Sequence, residues 1–327
     1  MLQLNRRKSK SQRVEPLEER TLLSTITITS LQDNLDTDGK VTLREALLAA
    51  NEDRSVDGSE AGDGADTIVF ASGFGGASIR LNGTQLRIAS DVTIDGPADK
   101  ITLDADDQSR IFAILDADEV NLIDLRLENG DAATGGAIRS RAAALSLTRT
   151  EFFGNSSSDG AGAVYVVDSP SGSLHVNDSS FMANHSDDGS AAIRTESSDD
   201  VAIETAIVNS TFQNNNGNSI VSSSLGPDDQ SLVSDSEFSN NWGTAVIART
   251  VRNSEFNNIN GNGGGVREAY LVEGSTFDRM QGFGSPSAIS LAPRQADGEE
   301  SIIRDTVLTS SSPIRIESCE GPAKATE

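Results

Sequence analysis

One six-residue phrase recurs eight times along the chain, and it restricts the possible folds more than any other feature. It runs apolar residue, any residue, turn-type residue, Ser or Thr, any residue, Phe. The full copies are Leu147 to Phe152, Val176 to Phe181, Ile207 to Phe212, Val233 to Phe238, Val251 to Phe256 and Val272 to Phe277. Looser copies, Leu122 to Leu127 and Ile303 to Leu308, flank them, and the final positions lie 25, 29, 31, 26, 18, 21 and 31 residues apart. Irregular periods in this range describe a solenoid, in which each repeat buries its apolar face only against its neighbours.

The turn-type position is occupied by Asp124, Arg149, Asp178, Asn209, Asp235, Asn253, Gly274 and Asp305. Asp, Asn and Gly tolerate left-handed backbone or bond their own backbone at a bend, so the chain turns here. After the bend, Ser/Thr and Phe alternate with an outward residue, as a strand requires. Six of the eleven Phe residues stand in this one column, which predicts ring on ring at the strand spacing of about 4.8 Å. Three residues past Phe come Asn155, Asn184, Asn215 and Asn241, positioned to hydrogen-bond from coil to coil as a ladder. A small-residue corner and a second short apolar run follow, as in Gly135-Gly136-Ala137-Ile138 and Gly162-Ala163-Val164. An ordinary β-sandwich does not need the same phrase in every strand. The pattern predicts an all-β, right-handed, single-stranded parallel β-helix, the hand following the rule for parallel connections. About ten coils make a rod near 50 Å long.

The chain divides into residues 1–24, a basic segment outside the fold; 25–65, an N-terminal cap; 66–318, the coils; and 319–327, a tail. Six basic residues fall within the first twenty positions, whereas the whole 327-residue chain carries a net charge of −24. That balance excludes nucleic acid as a partner, since phosphate contacts need clustered Lys and Arg. A single cysteine, Cys319, excludes a disulfide framework. No stretch reaches the roughly 18 apolar residues of a membrane helix.

Residues Arg13 to Ser24, RVEPLEERTLLS, resemble the LEPR-XLL segment of large exported planctomycete proteins, with the Pro displaced. The resemblance implies export to the cell surface or medium, and no activity. Asp38 to Leu47, DGKVTLREAL, followed by Ala50-Asn51, is similar to the CSLREA motif with Val-Thr in place of Cys-Ser. That motif leads into parallel β-helices, and the repeats resemble those of pectin-lyase-like and polymorphic-outer-membrane-type surface proteins.

Two readings compete for the segment before the coils. Asn34, Asp36, Asp38, Thr42 and Glu45 place oxygen donors at positions one, three, five, nine and twelve of a calcium loop, with Gly39 at six. Thr42-Leu43-Arg44-Glu45 is equally a capping box that starts a helix over Leu43 to Asn51, its apolar face closing the open first coil. Glu45 cannot serve both, although Asp36 and Asp38 could hold Ca²⁺ alone.

For chemistry, Glu237 and Glu255 precede Phe in consecutive coils and are expected to stack; paired carboxylates serve glycoside hydrolysis or lie solvated. The Asp pairs 187–188, 199–200 and 228–229 carry one element of polygalacturonase-like enzymes, but their Asn-Thr-Asp, Gly-His-Gly and Arg-Ile-Lys elements are missing. Neither His175 nor His185 has such a context, and His185 reads as a loop residue. A lyase could use Asp-bound Ca²⁺ with Arg194 or Arg304 as base. No catalytic set is singled out. The reading is an exported, non-enzymatic surface or matrix protein contacting polysaccharide or surface proteins; the competing class is a polysaccharide lyase or glycoside hydrolase of the same fold.

Overall fold

A computed structural model describes residues 24–115, 117–167, 172–197, 202–223, 229–261, 263–281, 288–292 and 301–309. Residues 1–23 of the basic segment, Cys319 and the predicted tail lie outside these residues. Three sheets of eleven, twelve and ten strands run the length of the molecule, every strand pair parallel and in sequence order from coil to coil. The fold is therefore a parallel β-helix. In the fifth coil, Ala144–Thr148 belongs to the first sheet, Glu151–Phe153 to the second and Val164–Val167 to the third.

All eight turn-type residues have positive φ, between 47° and 60°, so the bend between the first and second sheets is one left-handed residue in every copy. The next residue differs from its expected role. Thr150, Ser179, Ser210, Ser236, Ser254 and Ser275 are buried at the corner, one residue before the strand begins. The Ser179 hydroxyl donates to the Asn177 carbonyl (2.8 Å) and accepts the Thr150 amide of the preceding coil (3.1 Å). Ser210, Ser236, Ser254 and Ser275 repeat both bonds. A buried corner leaves amides that must be satisfied, and one short hydroxyl does this locally.

The Phe column is an inner ladder, its centroids 4.5, 4.8, 4.5, 5.0 and 4.6 Å apart and rings within 12° of parallel. Ile79, Leu103 and Leu127 continue it toward the N-terminus, and Leu308 closes it. Burying each ring contributes roughly 2 kcal/mol.

A second left-handed column, invisible in the phrase, follows two residues after Phe: Asn129, Gly154, Ala183, Asn214, Asn240, Asn258 and Arg279, with φ between 53° and 64°. Ala183 is exposed and pays a steric penalty there. Ala183→Gly is expected to raise stability by up to about 1 kcal/mol after the entropic cost of glycine, and Asn214→Ala to lower it, both read by urea unfolding. In the first column Arg149 is the odd residue. It is held by a two-pronged ion pair to Asp124, Nε to Oδ1 at 2.9 Å and Nη2 to Oδ2 at 2.6 Å.

The coils begin earlier than position 66. Thr25–Ile28 pairs in register with Asp66–Phe70 and starts the first sheet, which gives it eleven strands. Its Thr-Ile alternation buries Ile26 and Ile28, but it carries no copy of the phrase. The segment between these two strands holds the helix Leu43–Asn51, capped by Thr42 through the predicted box. Leu43, Ala46, Leu47, Ala49 and Ala50 are buried, and the helix packs on Thr25–Ile28, Asp66–Phe70 and Leu86–Ile88, closing the first coil. Arg44 fixes it through Asp33 (2.7 and 2.9 Å) and the carbonyls of Thr84 and Gln85 (2.8 and 3.1 Å).

Candidate functional site

The Asn ladder forms as the spacing predicts, and it organises the surface beside it. The first Oδ1, that of Asn155, accepts the Gly130 amide (2.9 Å), and each later one accepts the backbone amide and the side-chain amide of the preceding Asn. Asn184 Oδ1 takes both from Asn155 (3.0 and 3.1 Å), and Asn215 and Asn241 repeat this. The second amide hydrogen goes back to a carbonyl one coil earlier: Leu127, Phe152, Phe181 and Phe212 in turn. With these Asn side chains locked inward, the following residue of each coil faces outward at a fixed height.

Those outward residues pair from coil to coil as one column: Asp131, Ser156, His185, Asn216, Trp242, Asn260 and Gln281. It spans six strand steps, roughly 29 Å. Every member carries a hydrogen-bonding group. Trp242, the single tryptophan of the chain, is 49% exposed between two Asn residues. Beside the N-terminal half runs a groove of about 490 Å³ lined by Asp131, Ala132, Ala133, Ser156–Ser158, His185 and Asp187. Within it the Ser156 hydroxyl donates to Asp131 Oδ1 (3.0 Å), while the His185 ring contacts Asp187 Oδ1 through Nε2 (2.9 Å) and the Asn216 carbonyl through Nδ1 (3.1 Å). Gly162 keeps the strands close here, because a Cβ would collide with the carbonyl oxygens of His185 and Ala191. His185 is thus a strand residue in a polar column, not a loop residue. The signal in the sequence was its place directly after the Asn ladder.

The residues expected to carry chemistry are dispersed. Glu237 and Glu255 do stack in register, exposed on the outer face of the second sheet. His175 lies on the first sheet, with Nε2 3.9 Å from Glu204. Arg194, on the third sheet, pairs with Glu196 (2.8 Å) and Asp159 (3.9 Å), whereas Arg304 pairs with Glu273 (2.8 Å) on the first. Asp199, Asp200 and Asp228 lie outside the described residues. Asp229 is buried; burial pushes its carboxyl above the usual range, against the Ser231 amide and hydroxyl that bond it (2.8 Å each).

The five calcium candidates do not form one cage. Glu45 Oε2 accepts both the Thr42 amide and hydroxyl (2.9 Å each), and the Thr42 hydroxyl also reaches the Asn34 carbonyl (3.0 Å). The turn at Asp38, Gly39 and Lys40 points three amides at Asp57 Oδ2 (3.1, 2.8 and 3.1 Å). Asp38 Oδ1 accepts a further bond from the Lys40 amide (2.9 Å). A calcium loop must point oxygens inward; here amides converge on a carboxylate. Among the described residues no group of three or more His, Cys, Asp or Glu is arranged to hold a metal, and no helix is long and apolar enough to cross a membrane.

The fold and its outward columns define a parallel β-helix rod with a polar, aromatic-bearing ridge. No family model and no curated protein matches the chain. Among solved structures it is similar to the 1.7 Å crystal structure of jun a 1, the major allergen from cedar pollen. That similarity has 13% identity, covers 93% of this chain and 82% of the other, and has a TM-score of 0.38. The fold assignment rests on the strand pairings, and the similarity adds nothing on chemistry.

Proposed function

We propose that the protein is an exported, non-enzymatic rod of the cell surface or extracellular matrix, which contacts glycan chains along the column from Asp131 to Gln281. The observation that carries this reading is the half-exposed Trp242 among side chains able to donate and accept hydrogen bonds. An indole offers a flat apolar face with a polar edge, suited to a sugar ring, which is apolar on its faces and hydroxylated at its rim. Asn216, Asn260 and Gln281 each supply one acceptor and two donors at successive coil heights. An extended polymer lying along the rod would meet these groups in sequence. Export is supported by the resemblance of residues 13–24 to the LEPR-XLL segment, and the surface-protein class by the CSLREA-like residues 38–51.

The test is a panel of neutral polysaccharides offered to the purified full chain, recording bound fraction and new reducing or unsaturated ends together. Binding without product is expected, with Trp242→Ala weakening it by at least about tenfold, as loss of an aromatic anchor does. Product formation would replace this reading with the lyase or hydrolase class. Binding unchanged in Trp242→Ala would remove the ridge from the account.

A further inference from the structure

The middle of the column from Asp131 to Gln281 differs in charge from its ends. Asp131, His185 and Asp187 line the N-terminal part, and Asp278 and Arg279 precede Gln281. Between them, residues 209–223, 238–248 and 256–266 carry Asn216, Trp242 and Asn260 and contain no charged residue. In a chain of net charge −24 this is a neutral window. It selects a neutral partner, because a charge covered there would go unpaired. Carboxamides fill the window. Asn214 and Asn240 are exposed and Asn258 is half-buried, each two residues before a member of the column, and Asn218 is exposed just beyond Asn216. Among the described residues, the side-chain amides of Asn214, Asn216 and Asn218 make no hydrogen bond within the protein.

Two of these carboxamides bracket the indole. Asn216 and Asn260 are the register partners of Trp242 on either side, each one strand step away, about 4.8 Å. At that spacing amides chain together. The buried Asn ladder does so (3.1, 3.0 and 3.1 Å between side chains), and on the surface Asn258 Nδ2 donates to Asn240 Oδ1 (2.8 Å). At the height of Trp242 the outward series of amides is interrupted, and its two neighbours present complementary groups. The Asn216 side chain is able to donate through Nδ2. Asn260 Nδ2 turns toward the carbonyl and Oδ1 of Asn258 (3.4 Å each), which leaves Asn260 Oδ1 as an acceptor. A trans secondary amide points its N–H and C=O to opposite sides. Laid over the indole, it would accept from Asn216 and donate to Asn260. Gly217, Gly243 and Gly261 follow the three residues directly, so that position places no side chain beside the indole.

We infer that Asn216, Trp242 and Asn260 form a site for the acetamido group of an N-acetylated amino sugar, carried in a neutral polymer of such sugars. The inference rests on the glycan reading of Trp242 and names the sugar. The acetyl methyl and the sugar face are the apolar parts that suit the indole. The amide N–H and C=O take the two flanking carboxamides, and the ring hydroxyls, which donate and accept, meet the side chains of Asn214, Asn218 and Asn240, which do the same. A peptide backbone also carries trans amides, but it has no hydroxyls for the surrounding carboxamides.

The experiment is calorimetric titration of the full chain with an oligomer of N-acetylglucosamine, and with a glucose oligomer of the same linkage and length. Both are neutral, so the acetamido group is the difference between them. The amino-sugar oligomer is expected to bind at least about tenfold more tightly, the worth of one or two added hydrogen bonds. Trp242→Ala should weaken both. A double variant, Asn216→Ala with Asn260→Ala, removes side chains whose own bonds within the protein are absent or long, so folding is preserved. It is expected to bind the two oligomers within about twofold of each other. Equal binding of both oligomers by the native chain, or a preference that survives in the double variant, overturns the inference and leaves the Trp242 reading standing. Binding of neither oligomer overturns both. Displacement of the amino-sugar oligomer by tetraglycine at equal concentration would show a peptide-amide site and overturn the assignment to a sugar.

Discussion

Phe212→Ala is expected to lower the stability of the rod by about 3–5 kcal/mol, the range for emptying a packed aromatic site. Phe212 is fully buried at the middle of the stack, 4.8 Å from Phe181 and 4.5 Å from Phe238, so truncation breaks two ring contacts and opens a cavity. Coils contact only their neighbours, so the loss is expected to divide the molecule instead of loosening it evenly. Hydrogen exchange in Phe212→Ala should show the amides of Thr211–Gln213 and of the adjoining strands Ser180–Met182 and Glu237–Ser239 exchanging first. Phe212→Leu, which keeps most of the volume, should recover more than half of the loss. A cost below about 1 kcal/mol for Phe212→Ala would mean that the stack does not carry the core.

Asn184→Ala is expected to cost about 3 kcal/mol or more. The substitution leaves the Asn155 amide and side-chain NH₂ without the Asn184 acceptor, and deprives Asn215 Oδ1 and the Phe152 carbonyl of the Asn184 side-chain donor, while the backbone N–H of residue 184 still reaches Asn215 Oδ1. Each group is buried, and an orphaned buried donor or acceptor costs about 1–3 kcal/mol. A double-mutant cycle between Asn184→Ala and Asn215→Ala should be non-additive, the second substitution costing less because its partner has already gone. Simple additivity would show that the four side chains act as separate bonds and not as a chain.

These two columns were legible in the sequence because every coil must solve the same internal problem with the same residue type. Phe, Asn and the Asp or Asn at the bend recur because the interior is repetitive. Where a coil solves the problem differently, the signal disappears. Arg149 occupies a left-handed bend with the help of Asp124, and Ala183 and Arg279 occupy the second bend with no turn chemistry in their side chains. The strand Thr25–Ile28 escaped notice for a related reason: it buries two Ile residues as any half-buried strand does, without the phrase. The loop from Asn34 to Glu45 fitted two templates. In the structure Thr42 and Glu45 form the capping box, and three amides of the loop converge on Asp57 from outside it.

The outward columns were legible least of all. Asp131, Ser156, His185, Asn216 and Trp242 share a height and a direction but not a residue type. A surface that meets a partner is free to vary from coil to coil, whereas the interior is not. Register converts such unlike residues into a line. The Asn ladder is the device that sets this register for the ridge, since it fixes which residue of each coil emerges next to it.

The most direct measurement of the central claim is the emission of Trp242 during titration of the full chain with a neutral polysaccharide that it retains. The chain holds no other tryptophan, so the signal comes from the ridge alone. Contact with a glycan withdraws the indole from water, and the account predicts a saturable blue shift whose midpoint matches the binding midpoint. Binding that leaves the emission unmoved would place the contact elsewhere on the rod and contradict the ridge as its site.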